Sequence, residues 1–365
     1  MTSFPFILTR ILDIYLFLMY NRLHHKEYTT KEDLILNFKL QKPDTLLEAQ
    51  QAKKGWNVFL EFLLFFGIFV LSQLVIGLLL SVGIGVYAGV MGYAAAAAGQ
   101  EVDAAAVMQE LMTPAMVMQL YAELPAIFMV LGLCKWIQKR KARTLGFKKR
   151  DWLKEYGIGM LAGFGMMTLI ALLAWVSGSL KIRLNAEALT GKNLLLLLVI
   201  FVGFLFQGMF EEVLCRGYFL ISLARKKGNV WMGIVVSSVA FAALHLGNPG
   251  ITALPLINLT LFGIFAGIYF VKRGDLWGIG ALHSLWNFTQ GNVWGVLVSG
   301  NDFGVSICTA EMDEGMTLLN GGSFGLEGGL IVTAALVIGC LVLLRLPQKD
   351  VAKEIPAEVS ASPEF

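Results

Sequence analysis

Charge is scarce in this chain. Only 15% of its 365 residues are Asp, Glu, Lys or Arg, against about 25% in an ordinary soluble domain. That shortage excludes a normal solvated surface, and with 56% of residues hydrophobic and a mean hydropathy of +0.68 it points to a polytopic membrane protein. The net charge of +3 is small and no basic run alternates with aromatics, so a nucleic-acid partner is excluded. Cysteine is rare too. Cys134, Cys215, Cys308 and Cys340 are scattered singly with no Cys-x-x-Cys pair, which excludes a disulfide framework and a zinc knuckle. Three of them lie in or beside apolar stretches, where a free thiol behaves as a small hydrophobe. No internal repeat is present, and AAAAAG at 94–99 is a local low-complexity stretch. A cleavable signal peptide is not expected, because FPFILTRILDIYLFLMY is interrupted by Arg10 and Asp13 and no small-residue cleavage site follows.

What the chain has instead is a series of long apolar runs. A bilayer core about 30 Å thick takes roughly 20 apolar residues per helix. Eight stretches qualify, at approximately 57–90, 114–137, 156–178, 193–221, 229–246, 254–271, 276–299 and 326–345. The predicted fold class is all-α, a polytopic membrane helix bundle of about eight transmembrane helices. Cytoplasmic loops are enriched in Lys and Arg. Lys26, Lys31, Lys42, Lys53 and Lys54 precede the first stretch, and KWIQKRKARTLGFKKRDWLK follows the second. Arg225, Lys226 and Lys227 follow the fourth, Lys272 and Arg273 the sixth, and Arg345, Lys349 and Lys353 the eighth. The alternate loops 91–113 and 300–326 carry acidic residues and no Lys or Arg, and 247–253 carries no charge. Only 179–192 is mixed. Both termini are therefore predicted to be cytoplasmic. Residues 1–55 form a cytoplasmic N-terminal region with an interfacial helix over 5–20. Residues 56–346 form the bundle, and 347–365 form a polar, disordered tail.

The few polar residues inside the apolar runs carry the functional reading, since each is costly in a bilayer unless it is paired or faces a wet cavity. His24 and His25 lie in the polar N-terminal region, but His245 and His283 fall within apolar stretches, as do Glu211, Glu212 and Arg216. Glu212 and Arg216, Phe241 and His245, and His283 and Asn287 are each four apart, so each pair shares a helix face. Glu212 ahead of Arg216 is the favourable order for an ion pair, and a purely structural pair is one reading of it. Glu211 lies about 100° round the helix, without a local partner. It is either a protonated acid held by a neighbouring backbone or a functional group. Each histidine is either a satisfied structural residue or part of a site. Glu211 lies 17 residues before the turn at Gly228 and His245 lies 17 after it, so a hairpin brings them level. His283 and Asn287 are only 9 and 13 residues beyond Gly274, which predicts a position about two turns shallower.

EEVLCR at 211–216, FAALH at 241–245 and HSLWN at 283–287 follow the patterns Glu-Glu-x-x-x-Arg, Phe-x-x-x-His and His-x-x-x-Asn. In that order on three helices they resemble the CAAX protease and bacteriocin-processing family of intramembrane endopeptidases, over about 150–300. The resemblance implies Glu211 as general base and His245 as a holder of the attacking water. It implies His283 and Asn287 as stabilisers of the oxyanion, with Glu212, Arg216 and Phe241 in support. It also implies a peptide or protein substrate reaching the site from the membrane or the cytoplasmic side, contact with membrane lipid, and no nucleic acid. Two Glu and two His could ligate zinc, but there is no His-Glu-x-x-His, and an Asn beside His283 suits hydrogen bonding better. No cofactor is therefore expected, with zinc as the alternative. A transporter, with Glu123, Pro125 and Asn258 on an ion path, and a non-proteolytic immunity or scaffold factor are the competing functions. The short polar tail and simple loops point to a bacterial plasma membrane.

Overall fold

In a bilayer the backbone must satisfy its own hydrogen bonds, and a long apolar run does so by forming helix. A computed structural model describes residues 40–52, 56–98 and 104–349. The expected interfacial helix at 5–20 and residues 350–365 of the tail lie outside the described residues. In chain order the described helices of seven residues or more are α1 (Asp44–Gln51), α2 (Val58–Ala97), α3 (Ala104–Ala122), α4 (Leu124–Gly132) and α5 (Trp152–Val176). They continue with α6 (Gly191–Glu212), α7 (Ile221–Lys227), α8 (Val230–Leu244), α9 (Ala253–Arg273), α10 (Trp277–Phe288) and α11 (Leu330–Arg345). A π-helical segment, Val213–Leu220, joins α6 to α7 without a break.

All eight apolar stretches are helical, but their lengths differ. Among the described residues five spans are long and apolar enough to cross a membrane: Val58–Ala97, Leu111–Ile137, Trp152–Val176, Gly191–Lys227 and Ala253–Arg273. Helices α8 and α11 are apolar but shorter. The seventh stretch is shorter still, because α10 stops at Phe288 and runs on as a π-helical turn over Thr289–Val293. The protein is an all-α polytopic membrane bundle with one small addition. Strands β1 (Leu180–Leu184) and β2 (Cys308–Met312) pair antiparallel, Leu180 opposite Met312 and Leu184 opposite Cys308. Hydropathy could not reveal this ribbon, since it lies between apolar runs. It also assigns the charge-mixed 179–192 loop to the same end of the bundle as the acidic 300–326 loop.

The two ends are distinct. At the basic end Gln41 N–H donates to Gln348 Oε1 over 2.9 Å and Gln348 Nε2 donates back to the Gln41 carbonyl over 3.0 Å, so both described ends of the chain meet there. Arg143 pairs with Glu48 at 3.0 Å, and Arg273 and Lys349 both reach Glu155. At the other end, Asn320 donates to the Ser179 carbonyl and Asn248 to the Ser299 carbonyl. The described basic loops meet at one end and 247–253 and 300–326 at the other, as their charges predict.

Helix α10 is buried along nearly its whole length and is held by close backbone approach on two sides. On α5, a Cβ added to Gly159 would land on the Gly278 carbonyl, and one added to Gly163 on the Leu282 carbonyl. On α6, a Cβ on Gly208 would lie 2.6 Å from the Ser284 nitrogen. Small residues four apart let membrane helices approach to backbone contact, where dispersion rather than the hydrophobic effect drives association. These glycines set where His283 and Asn287 sit relative to Glu211.

Candidate active site

Helix α6 brings Glu211 and Glu212 to its C-terminal end, and the π-helical turn that follows carries Arg216. Such widened turns occur frequently at functional sites. Glu212 and Arg216 are both fully buried. Arg216 Nη1 donates to Glu212 Oε1 at 2.7 Å, Nη2 donates to the Gly263 carbonyl at 3.2 Å, and the guanidinium carbon lies 4.9 Å from the Phe241 ring centroid. The expected pair is therefore present, and it does more than neutralise itself. Glu212 Oε1 also accepts from His283 Nδ1 over 2.9 Å, which sets the orientation of that ring.

His283 is the hinge of the arrangement. Its second nitrogen, Nε2, lies 3.5 Å from Glu211 Oε2, so the imidazole stands between the two adjacent carboxylates. Phe262 and Phe241 flank it, with ring centroids 4.8 and 5.9 Å away. This corrects the depth expectation: His283 is level with Glu211. Residue counting treated every segment as ideal α-helix measured from its own turn. It omitted the π-helical Val213–Leu220, which packs more residues into each turn.

Glu211 has a local partner that the spacing argument overlooked. Gln207, one turn earlier, donates from Nε2 to Glu211 Oε1 over 2.7 Å. Its carbonyl oxygen in turn accepts from Asn287 Nδ2 over 2.9 Å. The chain Asn287–Gln207–Glu211 thus ties α10 to α6. The i, i+4 rule applied to Glu212 and Arg216 also finds Gln207 and Glu211 once a neutral amide counts as a partner.

His245 caps the C-terminus of α8. Its Nδ1 lies 2.9 Å from the Phe241 carbonyl and its ring packs at 4.8 Å on Phe241. A carbonyl only accepts, so Nδ1 carries the hydrogen and Nε2 holds the lone pair in the neutral ring. Glu211, His245, His283 and Asn287 all line one cavity of about 150 Å³. The four candidate residues come together, with Phe241 on the same cavity wall and Glu212 and Arg216 in the layer behind them.

Two further acids line the cavity. Glu327 lies on the same cavity but is satisfied, by Trp286 Nε1 at 3.0 Å and by Ser299 N–H and Oγ at 2.8 Å each. Glu123, at the α3–α4 junction, lines the cavity and has a buried Oε2 with no hydrogen-bond partner. Asn258, the other residue of the ion-path reading, is used structurally. It donates to the Glu327 and Gly329 carbonyls at 2.7 and 2.9 Å and accepts from Thr333 at 2.6 Å. Among the described residues no three His, Cys, Asp or Glu side chains are arranged to hold a metal ion.

The fold and the site define an integral, polytopic helical membrane protein with a carboxylate, histidine and amide centre in its core. Residues 193–289 match the family model described as type II CAAX prenyl endopeptidase Rce1-like. That stretch contains Glu211, Glu212, Arg216, Phe241, His245, His283 and Asn287, and so carries all three motifs on which the resemblance rests. No curated protein and no solved structure matches the chain.

Proposed function

We propose that the protein is an intramembrane endopeptidase that hydrolyses peptide bonds of membrane-associated or lipidated protein or peptide substrates, with Glu211 as general base. One observation carries this reading. Of the two adjacent glutamates, Glu212 is neutralised by Arg216, and Glu211 is left at the cavity with only a neutral amide and His283 Nε2 beside it.

In the reaction Glu211 takes a proton from a water whose other hydrogen is accepted by His245 Nε2. The resulting hydroxide adds to the scissile carbonyl carbon. Asn287 Nδ2 has two hydrogens and spends one on Gln207, so the other is available to the developing oxyanion. His283 is the second donor as an imidazolium, with Nδ1–H held by Glu212 and Nε2–H left for the oxyanion. The carbon–nitrogen bond then breaks, and the proton held by Glu211 passes to the leaving amine, which restores the base. The two ring nitrogens of His283 both face carboxylates, which supports a reaction run by hydrogen bonds rather than by a ligated metal. Full activity after dialysis against a chelator is the expected result, and activity recovered only on adding back Zn²⁺ would refute it. The basic loops support a plasma-membrane location with the basic end inside.

The test is Glu211→Gln, which keeps the shape and the Gln207 contact but removes the base. Membrane peptides from cells with wild-type and variant protein are compared by mass spectrometry. New termini that occur only with the wild type are expected; an unchanged set would sink the reading.

A further inference from the structure

Four buried glutamates of this protein each have donors close by. Glu61 meets Lys226 at 3.4 Å, Tyr218 at 2.7 Å and Gln138 at 3.0 Å. Glu155 is held by Arg273 and Lys349, Glu212 by Arg216, and Glu327 by Trp286 and Ser299. Glu123 differs from all of them. It is 5% exposed, its Oε2 has no hydrogen-bond partner, and among the described residues no cation pairs with it.

Its position makes that isolation meaningful. Glu123 N-caps α4 at the break between α3 and α4, where Pro125 follows in the first turn. It lines the same cavity as Glu211. Gln119, one turn earlier on α3, and Gln73 on α2 add polar groups to the same wall. No Lys or Arg is among the residues that line the cavity. A carboxyl group placed in a low-dielectric cavity without a partner is costly, and the cost is recovered when a ligand brings the missing charge. Helices α2 to α4, which supply this wall, lie outside the stretch that matches the family model.

We propose that Glu123 is a specificity-determining residue that receives a cationic side chain, lysine or arginine, of the bound peptide. That the ligand is a peptide rests on the endopeptidase reading. That it carries a positive charge rests on the cavity alone. A free C-terminal carboxylate beside Glu123 would add a third negative charge and is disfavoured.

The probes are acetyl-Leu-Lys-Leu-amide and twins with norleucine or glutamate in place of the lysine. Binding is measured in detergent micelles on full-length Glu211→Gln protein, where the peptide is not consumed and Glu123 is the unpaired carboxylate that remains. The lysine peptide is expected to bind about tenfold tighter than the norleucine twin, as for a charged hydrogen bond in place of an apolar contact. The glutamate twin is expected to bind weakest. Adding Glu123→Gln should remove the lysine preference and Glu123→Asp should retain part of it. Equal binding of the lysine and norleucine peptides overturns the proposal without any Glu123 variant being needed. So does a lysine preference that survives Glu123→Gln. Cleavage that persists in Glu211→Gln would overturn the assignment of Glu211 as general base instead, and these binding ratios would still report on Glu123.

Discussion

Arg216→Met offers the sharpest test of how the site is held together. The substitution keeps the length and apolar stem of the side chain and removes only the guanidinium. Glu212 would then be a fully buried carboxylate with His283 Nδ1 as its one remaining donor and Oε2 still unpartnered. Breaking a buried ion pair from one side costs about 3–5 kcal/mol, because an uncompensated charge stays behind. The lost hydrogen bond to the Gly263 carbonyl and the lost contact with the Phe241 face are each worth about 1 kcal/mol and fall within the same total. The double variant Glu212→Gln/Arg216→Met removes both charges but keeps an oxygen that accepts from His283. It should recover most of the loss, since replacing both members of a buried pair is often close to neutral. Equilibrium unfolding of the purified protein in micelles, run as a double-mutant cycle, gives both numbers. A loss below about 1 kcal/mol for Arg216→Met, or a double variant no more stable than the single one, would refute the reasoning.

Three further outcomes are expected. Asn287→Ala should lower kcat by about 10² to 10³ with little change in KM, as loss of one oxyanion donor does; a purely KM effect would assign Asn287 to substrate binding. Gly163→Leu should destabilise the protein by about 1–3 kcal/mol or more and abolish activity, because its side chain meets the Leu282 carbonyl on α10; retained activity would show that α10 can shift without disturbing His283. The third concerns Asp275, in the turn outside the membrane-spanning helices, whose carboxyl burial and the nearby Glu155 push up from 3.8 to about 6. The protonated form is favoured on folding, so its contribution is complete below about pH 4 and lost as pH rises through about 6. The total is about 3 kcal/mol. Asp275→Asn keeps an acceptor for the Gly278 N–H. It should make the protein more stable at neutral pH and flatten stability between pH 4 and 6, and equal pH profiles for the two proteins would contradict this.

The parts of the site legible from sequence are those made by neighbours on one helix. Glu212 with Arg216 and Phe241 with His245 are pairs at i and i+4, and helical geometry alone puts them together. Gln207 with Glu211 is equally local, but a neutral amide leaves no charge pattern in the sequence to mark it. The contacts that cross between helices were not legible. Nothing in the spacing of His283 says that one ring nitrogen meets Glu212 and the other faces Glu211. Those contacts depend on the glycines that let α10 approach α5 and α6 to backbone distance. Asn258 shows the opposite error: its position in an apolar run resembles that of a functional residue, and its partners from 327–333 turn out to be structural.

By itself the sequence determined that the chain folds as a helical membrane bundle, which loops share an end, and which helix turns carry chemistry. Hydropathy, loop charge and the 3.6-residue period are local quantities, and a bilayer permits few alternatives to helix. Tertiary structure decided which turns meet. It placed His283 between two carboxylates, joined Asn287 to Glu211 through Gln207, paired β1 with β2 and brought Glu123 to the cavity wall. Each is a contact between residues far apart in the chain, set by how closely two helices can pack, and no periodicity along one strand of sequence encodes that distance.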